Sequence, residues 1–210
     1  MLFYIIPATA QEGPASPKGK LFIIGGGDRP PALMKSLVAA AALGPKDYVI
    51  VLPMSSESPD TGYYYFKADL QPACTNAIVN FNFTAEKTSY KNWLDSLEHA
   101  KLIFITGGSQ DRFMKVVLNT PVFKAIHKAY ANGATIAGTS AGAAVMSQHM
   151  ITGNELTDTI YRSTFRKVVD KNIEITEGLA LLTTAVIDQH FIVRSRYNRL
   201  LSALGQVSIP

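Results

Sequence analysis

Gly138-Thr139-Ser140-Ala141-Gly142 sets a small serine between two glycines, after an apolar run and before helix-forming residues. The pattern fits the G-x-S-x-G turn that presents a nucleophile. A sharp strand-to-helix turn leaves no room for bulky neighbours, which accounts for glycines two before and two after the serine. Such a turn lifts the hydroxyl to the end of a sheet. The helix that follows offers free backbone N–H groups there, and its dipole favours developing negative charge. The chemistry this predicts is acyl transfer through Ser140. The alternative is a serine that only completes a tight turn.

A serine nucleophile needs a base. The histidines are His99, His127, His149 and His190. His99 and His127 fall in or at the ends of predicted helices. His149 is placed on the helix that follows Ser140 and points away from it. His190 follows the apolar run Ala185–Ile187 and would lie at a sheet edge, so it is the candidate base. "TGGSQ" (Thr106–Gln110) ends another strand in glycines. The N–H groups of Gly108 and Ala141 could then form an oxyanion hole, since neighbouring parallel strands end on one edge. A structural turn and helix cap is the other reading of that segment. "GGGD" (Gly25–Asp28) is a further glycine-rich strand end; it lacks the dinucleotide and phosphate-loop patterns. After His190 come Arg194, Arg196 and Arg199. They are either a solvated helix start or forks for carboxylates.

The elements that must position these groups alternate. Strand-like runs at "KLFIIGGGD", "YVIVLPMSS", "AIVNFNF", "KLIFITGG" and "ATIAGTS" are separated by helical patterns. Short buried strands between helices predict a mostly parallel sheet covered on both faces, a three-layer α/β sandwich. "AGAAVMSQHM" reads as the helix after Ser140. Residues 151–182 break the rhythm and read as an excursion beside the sheet. "LTTAVIDQH" reads as a strand, "SRYNRLLSALG" as a helix, and "QVSIP" as the opening of another strand.

The 210 residues, with 47% hydrophobic content, suit one sizeable core. A formal charge of +4 requires no nucleic-acid partner, and no nucleic-acid-binding motif is present. No apolar run reaches the length of a membrane span. Cys74 is the single cysteine, which excludes an internal disulfide and a multi-thiolate zinc site. No metal or other cofactor is expected, since the histidines show no ligand spacing. Residues 1–19 combine "MLFYIIPATA" with a Pro/Gly-containing linker. They read as the remnant of an export signal plus linker, or as a tail of the domain. The first predicts a periplasmic or secreted protein, the second a cytoplasmic one. Residues 20–210 form the predicted domain.

"GGGD", "TGGSQ", "GTSAGA" and above all "DQHFIVRSRYNRL" resemble the cyanophycinase family of serine peptidases. These are relatives of the aspartyl dipeptidases on a class I glutamine amidotransferase-like, flavodoxin-like scaffold. The resemblance runs from about Lys20 to the C-terminus. It implies Ser140 as nucleophile, His190 as base, and Gly108 and Ala141 as the oxyanion hole. It also implies Gln110, Asp188, Gln189, Arg194, Arg196 and Arg199 as the substrate pocket. The substrate it implies is cyanophycin or a related aspartyl-arginine polymer, cleaved without metal to β-Asp-Arg dipeptides, often by a homodimer.

The family completes its triad with a later glutamate, and this sequence has no acidic residue after Asp188. Either an upstream carboxylate substitutes, or the domain is incomplete at its C-terminus; the second is the expectation adopted, and with it an impaired dyad. Two other functions fit the same residues. One is an aspartyl dipeptidase acting on small Asp-X peptides. The other is a non-catalytic binding protein that keeps the turn as structure.

Overall fold

The structure is a computed structural model that describes residues 17–157, 164–165 and 167–207. Five strands form one wholly parallel sheet: β1 (Lys20–Ile24), β2 (Tyr48–Leu52), β3 (Ala77–Asn80), β4 (Leu102–Ile105) and β5 (Thr135–Thr139). Their spatial order is β1-β5-β4-β2-β3. Each central strand is apolar on both faces, as a sheet covered by helices on both sides requires. Val49 and Val51 of β2, with Leu102 and Phe104 of β4, pack under α1 (Pro31–Ala41) and α2 (Pro59–Leu70). Ile50, Leu52, Ile103 and Ile105 point the other way, into a larger core. That core is closed by α3 (Lys91–Glu98), α4 (Gln110–Val117), α5 (Pro121–Ala131) and the short α6 (Ala141–Ala144). This is the three-layer sandwich that the alternating pattern predicts.

The register brings the site to one edge. Ile24 pairs with Thr139, and Ile105 pairs with Gly138. The C-terminal ends of β1, β4 and β5 are therefore level. Gly25, Gly107 and Ser140 leave the sheet side by side.

The excursion after residue 148 is a separate antiparallel pair, β6 (His149–Glu155) and β7 (Ile173–Glu177). α7 (Tyr197–Leu204) follows the His190 segment. No helix among the described residues is long and apolar enough to cross a membrane. Cys74 is half-buried against the α1–α2 core.

Three sequence readings need correction. The helix after Ser140 ends at Ala144, not Met150, and His149 opens β6. The carbonyls of Val145 and Met146 are captured by N–H groups of Leu179, Leu181 and Leu182, so tertiary bonds replace further helical ones. The run Leu182–His190 is not a strand; it makes one isolated bridge, Leu182 to Ser147. Finally, α1 stops at a left-handed Ala42 rather than at Gly44. Of the predicted last strand, residues 208–210 lie outside the described residues, as does the N-terminal run 1–16.

Candidate active site

Ser140 has φ 53 and ψ −113, a conformation that L residues rarely adopt. Strain of this kind costs about 1–3 kcal/mol and persists where its surroundings over-determine it. Here they do. The Ser140 N–H donates to Ile24 O at 2.9 Å, and its carbonyl accepts from Ala143 and Ala144, each at 3.0 Å. Both flanking glycines are steric requirements. A Cβ on Gly138 would lie 2.2 Å from the carbonyl oxygen of Gly142. One on Gly142 would lie 2.2 Å from that of Ile105. The turn therefore closes only because these two positions carry no side chain.

His190 Nε2 lies 3.0 Å from Ser140 Oγ. The histidine is itself left-handed, at φ 51, and its N–H donates to Gly25 O at 2.7 Å. Its ring rests on Gly26. A Cβ there would stand 2.4 Å from the ring's Cε1, and Gly26 has φ +116. Gly26 of the "GGGD" segment is thus the seat of the imidazole. A glycine run ending a buried strand was the available signal. What fills the space over such a glycine is not written in the sequence.

Burial first, then the charges of Arg194, Arg196 and Arg199, push the His190 imidazole below its ordinary value. Both effects favour the neutral ring. With its proton on Nδ1, Nε2 is free to accept from the serine hydroxyl.

Gly107 packs beside the nucleophile; a Cβ on it would lie 3.5 Å from Ser140 Cβ. Gly108 has φ +135, and a side chain there would strike Ser55 O. The N–H groups of Gly108 and Ala141 make no hydrogen bond among the described residues. They sit at the strand end and helix start that flank the hydroxyl.

Most of the remaining predicted residues are buried and bonded within the chain. Gln110 is buried at the start of α4; its Nε2 donates to the carbonyls of Ile151 (2.8 Å) and Thr152 (2.5 Å) on β6. Arg199 holds Asp188 by a two-point fork, with Nε to Oδ2 at 3.0 Å and Nη2 to Oδ1. Both side chains are 1% exposed. Arg196 Nη1 lies 3.9 Å from the same carboxylate and donates to the backbone (2.8 Å) and side-chain (3.0 Å) oxygens of Gln189. Arg199 also lies over the Phe165 ring, 5.5 Å from its centroid. Only Arg194 of the three arginines is half-exposed. The solvated-helix reading therefore fails for Arg196 and Arg199, whose forks meet carboxylate and carbonyl groups of this chain.

His99 caps α3, His127 on α5 contacts Leu179 O at 2.7 Å, and His149 is on β6. No cluster of three or more His, Cys, Asp or Glu residues that could hold a metal occurs among the described residues.

The likeness to solved structures agrees with this architecture. A peptidase from an acI-B1 Actinobacterium superimposes with a TM-score of 0.64 at 20% identity, over 92% of this chain and 77% of that one. A putative peptidase E from Listeria monocytogenes EGD-e gives 0.57 at 16% identity, over 85% of each. At these identities the likeness concerns the fold. Among curated sequences, cyanophycinase of Trichormus variabilis is 33% identical over 162 residues, 76% of this chain and 52% of that protein. Cyanophycinase of Geminocystis herdmanii is 36% identical over 116 residues, 55% of this chain and 40% of that protein. The chain thus spans about half the length of the curated relatives it matches. The family model for peptidase family S51 matches residues 21–208, nearly the whole described domain, and the chain belongs to that family.

Proposed function

We propose that this chain is a serine-type peptidase acting on cyanophycin or a related aspartyl-arginine polymer, releasing β-Asp-Arg dipeptides. One observation carries the reading: a serine with a strained backbone at the end of a buried strand, its hydroxyl 3.0 Å from the His190 imidazole. The substrate class rests on the relatives named cyanophycinase.

The steps follow from the groups present. His190 Nε2 takes the hydroxyl proton as Ser140 Oγ attacks the scissile carbonyl. The N–H groups of Gly108 and Ala141 stabilise the oxyanion, each such donor being worth about 3 kcal/mol. Collapse breaks the C–N bond, and the imidazolium returns its proton to the leaving amine. A water, deprotonated by His190, then attacks the acyl carbon; the C–O bond to Ser140 breaks and the imidazolium returns its proton to Ser140 Oγ. Arg194, the half-exposed arginine, serves substrate carboxylates. Asp188, Gln189, Arg196, Arg199 and Gln110 form the buried wall behind the base and beside the strand ends.

Two experiments test the proposal. A small fluorophosphonate should label Ser140, with the adduct mapped by mass spectrometry. Ser140→Ala should abolish release of β-Asp-Arg while leaving polymer binding largely intact. Unchanged turnover in Ser140→Ala removes the serine from the role. One observation favours a binding-only reading: no carboxylate among the described residues bonds His190 Nδ1, so nothing there fixes the tautomer. Polymer binding without fluorophosphonate labelling is the outcome that reading requires.

A further inference from the structure

His190 sits on a stretch without a strand ladder. Residues 183–190 belong to no sheet, so discrete bonds must hold the imidazole in place. At the top, the His190 N–H donates to Gly25 O at 2.7 Å. Arg196 holds Gln189 from the side. At the base, the Ile187 N–H donates to Ser147 Oγ at 2.9 Å. Ser147 is fully buried and lies seven residues after Ser140, just past α6. Its own backbone is tied on both sides: its N–H donates to Ala144 O at 3.2 Å and its carbonyl accepts from Ala180 at 3.3 Å. Its hydroxyl is therefore a fixed point on the nucleophile's own segment.

Given the Ser140–His190 reading, we infer that Ser147 is a positioning residue for the base. Its hydroxyl sets the distance between the segment that carries the nucleophile and the one that carries the imidazole. The physical need is specific. Ile187 has no strand carbonyl to reach, and a buried N–H must be paired. A hydroxyl supplies the acceptor within the space of one heavy atom. An alanine leaves the N–H unpaired and frees the segment three residues before His190.

A double-mutant cycle on the full chain separates this role from general support. The readout is the second-order rate of Ser140 labelling by diisopropyl fluorophosphate, followed by intact mass. Ser147→Ala should slow labelling about tenfold, a modest part of the hundredfold that a 1 Å misplacement costs. In a His190→Ala background, whose residual labelling is measured at high reagent, Ser147→Ala should change nothing further. Ser147→Cys, which keeps a weak acceptor, should fall between, and it replaces Ser147→Ala if that variant does not fold. An equal slowing in both backgrounds, or none in the presence of His190, overturns the inference while leaving Ser140 as nucleophile. Labelling that ignores His190→Ala, or no labelling of Ser140 at all, refutes the dyad and the inference together.

Discussion

Gly26→Ala should disable the base while the fold survives. The atoms within reach of a Cβ at this position include Cε1, Nε2 and Nδ1 of His190, at 2.4, 2.7 and 2.8 Å. Ordinary contact begins near 3.4 Å. The ring must therefore retreat by about 1 Å, and it can, because it is the end of a side chain rather than backbone. Retreat breaks the 3.0 Å contact with Ser140. A 1 Å misplacement of a reacting group costs about 10²-fold in rate, or roughly 2.7 kcal/mol in the barrier. Alanine at φ +116 adds about 1–3 kcal/mol of backbone strain. Gly27 supplies the matched control, with φ +90 and nothing within 4 Å of its Cβ position. Gly27→Ala shares the strain without the collision. Both variants should lose stability in urea unfolding by similar amounts. Fluorophosphonate labelling of Ser140 should fall about hundredfold in Gly26→Ala and less than about threefold in Gly27→Ala. Equal losses in the two would show that backbone strain, not displacement of the imidazole, sets the effect.

Asp188→Asn should destabilise the domain by about 3–5 kcal/mol, because the Arg199 fork stays buried at 1% exposure without its counter-charge; urea unfolding measures this. The His190 shift predicts a pH effect on stability. Its folded value lies below its unfolded value of about 6.5, so the unfolded chain binds the proton first. Stability should be full above about pH 6.5 and decline as pH falls toward the lowered value. Comparing unfolding of the wild type and His190→Ala across pH 5 to 8 should show this slope removed in the variant.

Much of the frame was legible because the strands are buried on both faces. "YVIVL" and "LIFI" contain no polar residue to turn outward other than the edge Tyr48, and glycines mark where they stop. The turn around Ser140 was legible for the same steric reason: only glycine fits at 138 and 142. What failed depended on partners distant in sequence. The helix after Ser140 has the composition to run on, but Leu179, Leu181 and Leu182 take its carbonyls. "LTTAVIDQH" has a strand's apolar content, yet among the described residues it forms one isolated bridge and no ladder. The arginines of "RSRYNRL" could have met solvent, ligand or their own chain. Periodicity cannot say that Arg199 folds back on a carboxylate eleven residues earlier.

The charges around His190 lead to a last prediction, which ties the electrostatics to the chemistry. Burial and then three guanidinium groups depress the imidazole, and Asp188 is the carboxylate that faces Arg196 and Arg199. Among the described residues no carboxylate acts on the ring to offset them, so an imidazolium is disfavoured at the moment catalysis must form one. A substrate rich in free carboxylates changes that balance. Its anions beside Arg194 offset the positive field, and a nearby negative charge favours the protonated ring. The acid limb of kcat/KM reports the free enzyme and that of kcat reports the complex. The first should fall below about pH 6.5, the ordinary imidazole value, and the second should lie at higher pH than the first. A substrate with amidated carboxylates should show little separation between them. If kcat turned down at the same pH as kcat/KM with the anionic substrate, the arginines would be acting on the fold alone and not on the base.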